Sequence, residues 1–347
     1  MKTPSLSVIV AVRNVEKYLP KMLSSIDGQR KFLHELIFIE DGSADGTAVI
    51  LEEFVKNRNN IHLLKINPSG VSFARNLGLQ KATGDFVLFL DGDDFFNEFF
   101  FEKMLNAVKE DTDVVVCCSR ELDDVTGLSC SQHWAVRKDN YPNNGNQVFY
   151  KYLGWAWDKI FRREFLLKNG IQFPNLQNSE DLVFVYKALL LTNKVEVIDD
   201  ELIYHRVSNS LSLSNLRSKH VSDAYNAVKQ LHDFLISNQK ITKKNSICFQ
   251  EWAADFILWA YKIEKSSLEE LTKSFPIIQW NELAYKKKMY FKPLDLKLYY
   301  ILSNLPSPIR KFYFLLFFLK KYGVKRFLIR TLSETLKTIL NLKSKFP

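Results

Sequence analysis

Residues 84–94 read Gly-Asp-Phe-Val-Leu-Phe-Leu-Asp-Gly-Asp-Asp, and this stretch limits the possible folds more tightly than any other. Residues 85–90 are mostly large and apolar and lack the polar alternation of a half-exposed strand. That pattern predicts a central strand covered on both faces of a parallel sheet. At its carboxyl end stand Asp91, Asp93 and Asp94, grouped around Gly92. Open α/β sheets bind ligands at the carboxyl ends of their strands. Crowding carboxylates there is unfavourable, because like charges repel and burial strips their water. A hard divalent cation, Mg2+ or Mn2+, offsets that cost, taking one or two carboxylates together with substrate phosphates. Gly92 lets the backbone turn tightly and approach a ligand. A bare Asp-x-Asp also reads as an acidic surface turn, so the rest of the chain has to decide.

Apolar runs at 6–12, 36–39, 61–66 and 114–118 predict further strands. Between the first two, Val15, Leu19, Met22, Leu23 and Ile26 have helical spacing, with Asn14 as a candidate N-cap. Helices are also expected over 48–55, around Ala74, Arg75 and Asn76, and over 104–108. This rhythm predicts a doubly wound α/β sheet with right-handed crossovers. After Arg120 it breaks, and 121–150 is polar and turn-rich, expected as irregular chain or short strands. Order resumes over 155–167 and 180–191, followed by two short strands at 195–198 and 202–205. Beyond Ser214 the pattern is helical.

The net charge of +9 is unevenly placed. Residues 281–347 hold fifteen Lys and Arg against three Asp and Glu, so the basic excess belongs to the tail and the remainder is slightly acidic. Cys117, Cys118, Cys130 and Cys248 fit no zinc spacing and are expected as reduced core thiols of a cytosolic protein. The apolar run at 6–12 is too short for a signal peptide, and no run approaches the ~18 residues that span a bilayer.

Neither a Gly-x-Gly-x-x-Gly nor a P-loop pattern is present. Asp41, just past the second strand, reads either as turn chemistry or as an acceptor for the imide N–H of a uracil ring, which would favour UDP donors. Four motifs then occur in order: Val8-Ile9-Val10-Ala11-Val12-Arg13-Asn14, Glu40-Asp41-Gly42-Ser43-Ala44-Asp45-Gly46-Thr47, Ala74-Arg75-Asn76-Leu77-Gly78 and Phe89-Leu90-Asp91-Gly92-Asp93-Asp94. Together they resemble the family 2 glycosyltransferases of the GT-A fold, from Leu6 to about Ser212.

The resemblance implies a GT-A Rossmann-like, mostly parallel sheet flanked by helices, to which the helical pattern beyond Ser214 adds a C-terminal extension. The expected domains are a catalytic, nucleotide-sugar-binding domain at 1–214 and a basic, aromatic-rich helical region at 215–347, the latter carrying no family signal. The activity implied is inverting transfer of one sugar from a UDP-sugar with a divalent metal. Residue by residue, it places Asp41 on the nucleobase, Asp91 on the ribose and metal side, Asp93 on the metal and Arg75 by the diphosphate or sugar. Val12, Asn14 and Gly92 belong to the same nucleotide-sugar-binding set. Glu40 stands where an Asp is more usual. Asp181 matches the family's base, and Glu180 beside it is expected to raise its proton affinity. Read locally, Ser179, Glu180 and Asp181 are equally a helix cap with acids at its positive end.

Trp155, Trp157 and Lys159 resemble the family's acceptor-side segment, although both Trp also read as core. His205 and Arg206, with Ser210, Leu211 and Ser212, resemble a loop that closes on the diphosphate, and His205 is a candidate extra metal ligand. In the tail, residues 312–319 are apolar and aromatic, bracketed by Arg310, Lys311, Lys320 and Lys321. That suits an interfacial helix on anionic lipid across 309–330, or an amphipathic helix packed on the catalytic part. No nucleic-acid recognition motif accompanies the charge. The expected protein is a transferase on the inner face of the cell membrane, extending a lipid-linked surface glycan such as capsule, O-antigen or lipopolysaccharide. Two alternatives are a sugar-nucleotide nucleotidyltransferase and a non-catalytic membrane- or partner-binding module on the same fold.

Overall fold

Strand β1 (Leu6–Val12) is buried along almost its whole length, as a strand flanked on both edges and covered on both faces must be. It pairs in parallel with β2 (Glu35–Glu40) on one side and β4 (Phe86–Asp91) on the other. The computed structural model describes residues 4–136, 148–207, 221–238 and 243–260, together with 274 and 276–278. Between the first strands run α1 (Leu19–Asp27), α2 (Thr47–Val55), the edge strand β3 (Ile61–Lys65) and α3 (Val71–Lys81). The first half of the sheet is therefore β3-β2-β1-β4, all parallel. Its register sets Ala11 opposite Asp91 and Val12 opposite Glu40, so the acidic ends of β2 and β4 flank the end of β1.

The second half departs from simple alternation. After β5 (Phe95–Phe96) and α4 (Phe100–Asn106), the chain forms β6 (Val114–Asp123), β7 (Ser129–His133), α5 (Val148–Lys151), β8 (Lys159–Arg162), α6 (Arg163–Lys168), α7 (Glu180–Leu191) and β9 (Val195–Val207). The short β8 inserts antiparallel between β4 and β6, and β9 pairs in parallel with β6. Residues 195–207 form one strand with register shifts, not the two expected. His205 and Arg206 accordingly lie on that strand, opposite Glu121 and Leu122, and not in a loop. Residues 210–212, the rest of the expected loop, fall outside the described residues.

Asn14 does not cap a helix. The helix starts later, at Leu19 with Pro20 in its first turn, because residues 15–18 form a turn in which Tyr18 and Leu19 both donate to the Val15 carbonyl. Asn14 itself is left-handed, with φ 54°.

Two contacts seat the helices that matter for the site. Gly78 packs α3 onto β1 so closely that a Cβ there would lie 2.3 Å from Ile9 Cγ2. Helix α7 is held by Phe184, which stacks on Phe173 at 4.0 Å and meets Phe89 of β4 and Phe161 of β8 edge-on. The chain goes on into α8 (Val221–Ser237), which packs on α7, and α9 (Lys243–Ala260). The first compact unit runs past residue 214 to Lys262. The second, Ile263–Pro347, contains the basic aromatic stretch, and 309–330 falls outside the described residues. No helix among the described residues is long and apolar enough to cross a membrane. Cys117, Cys118 and Cys248 are buried.

Candidate active site

The carboxyl edge of the parallel strands carries the expected nucleotide side. Asp41 is buried, its Oδ1 accepting the Ser69 N–H at 2.6 Å and its Oδ2 the Gly70 N–H at 2.9 Å. It thus ties the end of β2 to the start of α3, while its own N–H donates to the Val12 carbonyl. Asn14 Oδ1 accepts the Ala44 N–H at 2.8 Å and its N–H donates to Ser43 Oγ, which binds the two loops together. Glu40 accepts the Ser43 N–H. Gly92 leaves room for Val12, whose Cγ1 would lie 2.8 Å from a Cβ at that position.

Arg75 is the hub. It is 4% exposed, yet its guanidinium donates to three carboxylates from two separate segments, the end of β4 and the start of α7. One terminal nitrogen reaches Asp181 at 2.7 Å and Glu180 at 2.8 Å, and the other reaches Asp91 at 2.7 Å. A planar fork suits this kind of shared recognition. Burial opposes the charge, but Asp181, Asp91 and Glu180 reverse that, so Arg75 is held protonated more firmly than an ordinary arginine. Arg75 is therefore neither a surface salt bridge nor a free arm, but the link between the end of β4 and the start of α7. Asp181 also accepts the Ala156 N–H at 3.3 Å on its other oxygen. Burial pushes Asp181 up to about 7, against Arg75 and with help from Glu180 and Asp91. That is a carboxylate poised to exchange a proton near neutrality. Ser179 does not cap α7: it is left-handed, with φ 66°, and its hydroxyl bonds Asn178 instead.

Asp93 is pushed up to about 7, chiefly by burial and then by Asp94 and Asp91. Asp94 is buried and serves as an anchor, accepting from the Arg206 N–H at 2.9 Å and pairing with His205 Nδ1 at 3.0 Å. Burial lowers His205, but Asp94, Asp91 and Asp93 outweigh it and raise it to about 9. Its Nδ1 faces the Asp94 carboxylate, so in this structure His205 is a partner for the acids. Arg206 donates to Asp124 at 3.1 Å and lies against the rings of Phe95 and Tyr18. Among the described residues no group of three or more His, Cys, Asp or Glu is arranged to hold a metal. Asp91 and Asp93 supply two carboxylates, a fitting protein share for a cation that also takes diphosphate oxygens. Burial and the neighbouring Asp94 and Asp91 disfavour the charged form of Asp93, a cost that a cation beside it would offset.

On the expected acceptor side the structure divides the candidates. Trp155 is half-buried and stacks on Trp157 at 4.7 Å. Trp157 is buried, with His205 stacked on it as well at 5.0 Å, and the His205 ring lies 6.2 Å from that of Trp155. Lys159 is 0% exposed, and its ammonium is spent on the Leu153 and Trp155 carbonyls and on Asp158. Its ammonium is enclosed by protein, so of the three expected acceptor-side residues Lys159 presents no exposed surface. The anchoring roles of Asp94 and Asp124, and the Ala156 N–H on Asp181, had no signal in the sequence, because each joins segments far apart in the chain.

Comparison with known proteins agrees with this arrangement. Residues 7–170 match the family described as Glycosyl transferase family 2. The putative glycosyltransferase EpsH of Bacillus subtilis (strain 168) is 29% identical over 251 residues, 70% of this chain and 72% of that protein. The poly(ribitol-phosphate) beta-N-acetylglucosaminyltransferase TarS of Staphylococcus aureus (strain Mu50 / ATCC 700699) is 29% identical over 238 residues, 66% of this chain but only 39% of TarS. The crystal structure of S. aureus TarS 1–349 in complex with UDP-GlcNAc superposes with a TM-score of 0.58 at 23% identity, covering 96% of this chain and 92% of that one. This sheet and this acidic edge lie within residues 7–170, the part of the chain that matches glycosyl transferase family 2, and the fold is the GT-A fold of the TarS structures.

Proposed function

We propose that this protein transfers one sugar, with inversion, from a UDP-sugar to a hydroxyl of a surface glycan carried on a lipid. One observation carries the reading: a single buried guanidinium, Arg75, holds Asp91 and Asp181 on either side of it. Asp91 and Asp93 mark the diphosphate side, and Asp181 marks the side from which an acceptor is deprotonated. Asp181 takes the proton of the acceptor hydroxyl as that oxygen bonds to the anomeric carbon. The bond from that carbon to the diphosphate breaks, and UDP departs through an oxocarbenium-like transition state. Asp41 receives the nucleobase at the end of β2. His205, held positive by Asp94, offers charge to the departing diphosphate. Asp91 and Asp93 would hold a Mn2+ or Mg2+ ion, which when bound neutralises charge on the leaving group.

The UDP complexes of TarS and the enzyme's printed activity support a UDP-sugar donor and a surface-polymer acceptor. The basic, aromatic stretch at 309–330 supports peripheral attachment to the inner face of an anionic membrane. The test is a panel of UDP-sugars with Mn2+ or Mg2+, read by UDP release and by the anomeric configuration of the product. UDP release with an inverted product is expected. Turnover giving a retained configuration, or no turnover and no binding of UDP, overturns the reading.

A further inference from the structure

We propose that Lys159 is a positioning residue for the base, acting through the main chain of residues 153–158. The inference rests on Asp181 being that base. Lys159 opens β8, where it is locked between β4 and β6 and faces Val116 in the register. Its ammonium has three donors. They go to the Leu153 carbonyl at 2.9 Å, the Trp155 carbonyl at 3.0 Å and the Asp158 carboxylate at 2.5 Å. Asp158 is buried as well and supplies the counter-charge that a buried lysine requires. Two carbonyls of the loop are thus bolted to the sheet from beneath.

From the other side the same loop is pressed onto the first turn of α7. A Cβ on Gly154 would lie 2.3 Å from Leu182 Cδ2 and 3.0 Å from Tyr186 Cε2, so an added methyl has to push the loop or these side chains aside. Leu182 directly follows Asp181. Between these two fixings the loop delivers the Ala156 N–H to Asp181 Oδ2. Arg75 holds the other oxygen. With both oxygens directed, the carboxylate is fixed in orientation, and small misplacements of a reacting group are known to cost rates heavily. Lys159 touches neither Asp181 nor any open cleft, so its contribution is geometric.

The test compares wild-type protein with Lys159→Met, Asp158→Asn/Lys159→Met and Gly154→Ala. The double substitution removes both buried charges, so it keeps the core neutral while still leaving the two carbonyls without their donor. Expected is a fall in kcat of about 10–100-fold in all three variants, with the Kd for UDP and the donor KM within about twofold of wild type. The double variant is expected to regain stability relative to Lys159→Met without regaining kcat. Wild-type kcat in the double variant overturns the inference, as does a parallel loss of UDP affinity, which would mean a general structural role. If Lys159→Met fails to fold, Gly154→Ala decides alone, since it displaces the loop and leaves the lysine untouched. Asp181→Asn in the same series separates the two readings. If that variant keeps full activity the base assignment fails, whereas if it is inactive and the loop variants are not, only the role of Lys159 fails.

Discussion

Replacing Arg75 with Met removes a buried charge and leaves an unbranched side chain in its place. Asp91, Asp181 and Glu180, each 2.7–2.8 Å from the guanidinium, then lose their shared cation. Removing one partner from a buried ion pair costs about 3–5 kcal/mol. For a unit of this size each kcal/mol moves Tm by about 2–4 °C, so a fall of roughly 6–20 °C is expected. The pH dependence identifies the cause. Burial already raises Asp181 above an unfolded value of about 4. A carboxyl raised in this way contributes stability in full below its unfolded value and loses it as pH rises through its folded value. Loss of Arg75, whose charge now holds Asp181 down, raises Asp181 further and so enlarges that penalty. The deficit of the variant is therefore expected to be largest near about pH 8 and to shrink towards about pH 5, where Asp181 holds its proton. Thermal and urea unfolding across that range, followed by circular dichroism, measures it. A deficit that is the same at every pH would point to packing, and no deficit at all would refute the buried hub. Adding Asp181→Asn to Arg75→Met should restore part of the stability, since the two sites share one interaction.

Other outcomes follow from the same geometry. Asp181→Asn is expected to lower kcat by about 10²–10⁴-fold while leaving UDP affinity intact, measured by UDP release and by titration. In the wild type kcat should fall as pH drops through about 7, because Asp181 must be ionised to accept a proton, and this limb should vanish from the residual activity of Asp181→Asn. Asp93→Asn is expected to abolish the extra thermal stabilisation that Mn2+ adds to UDP; an undiminished shift would remove Asp93 from the metal site. Gly78→Ala should destabilise by about 1–3 kcal/mol by forcing α3 away from Ile9, and an unchanged urea midpoint would contradict that close packing.

The first half of the fold was legible because its signals are local. A strand buried on both faces must be continuously apolar, and Leu6–Val12, Glu35–Glu40 and Phe86–Asp91 are largely that. Parallel pairing then brings their carboxyl ends to one edge, so the grouping of Asp41 and Asp91 follows from the chain order. The antiparallel insertion of β8 was not legible, since four residues carry too little periodicity to reveal a partner. The continuous β9 was also hidden, because acids at 199–201 interrupt its apolar pattern while pairing to β6 carries the backbone through them.

By itself the sequence determined which residue types stand at the ends of the parallel strands, and hence that this edge is acidic. The tertiary structure decided how those charges are shared. Arg75 reaches across 105 residues to Glu180 and 106 to Asp181, and Lys159 turns inward to hold a loop instead of outward to meet a ligand. Local pattern records whether a side chain prefers water or the core. A buried cation goes where its acceptors are, and those acceptors are assembled only when distant segments meet.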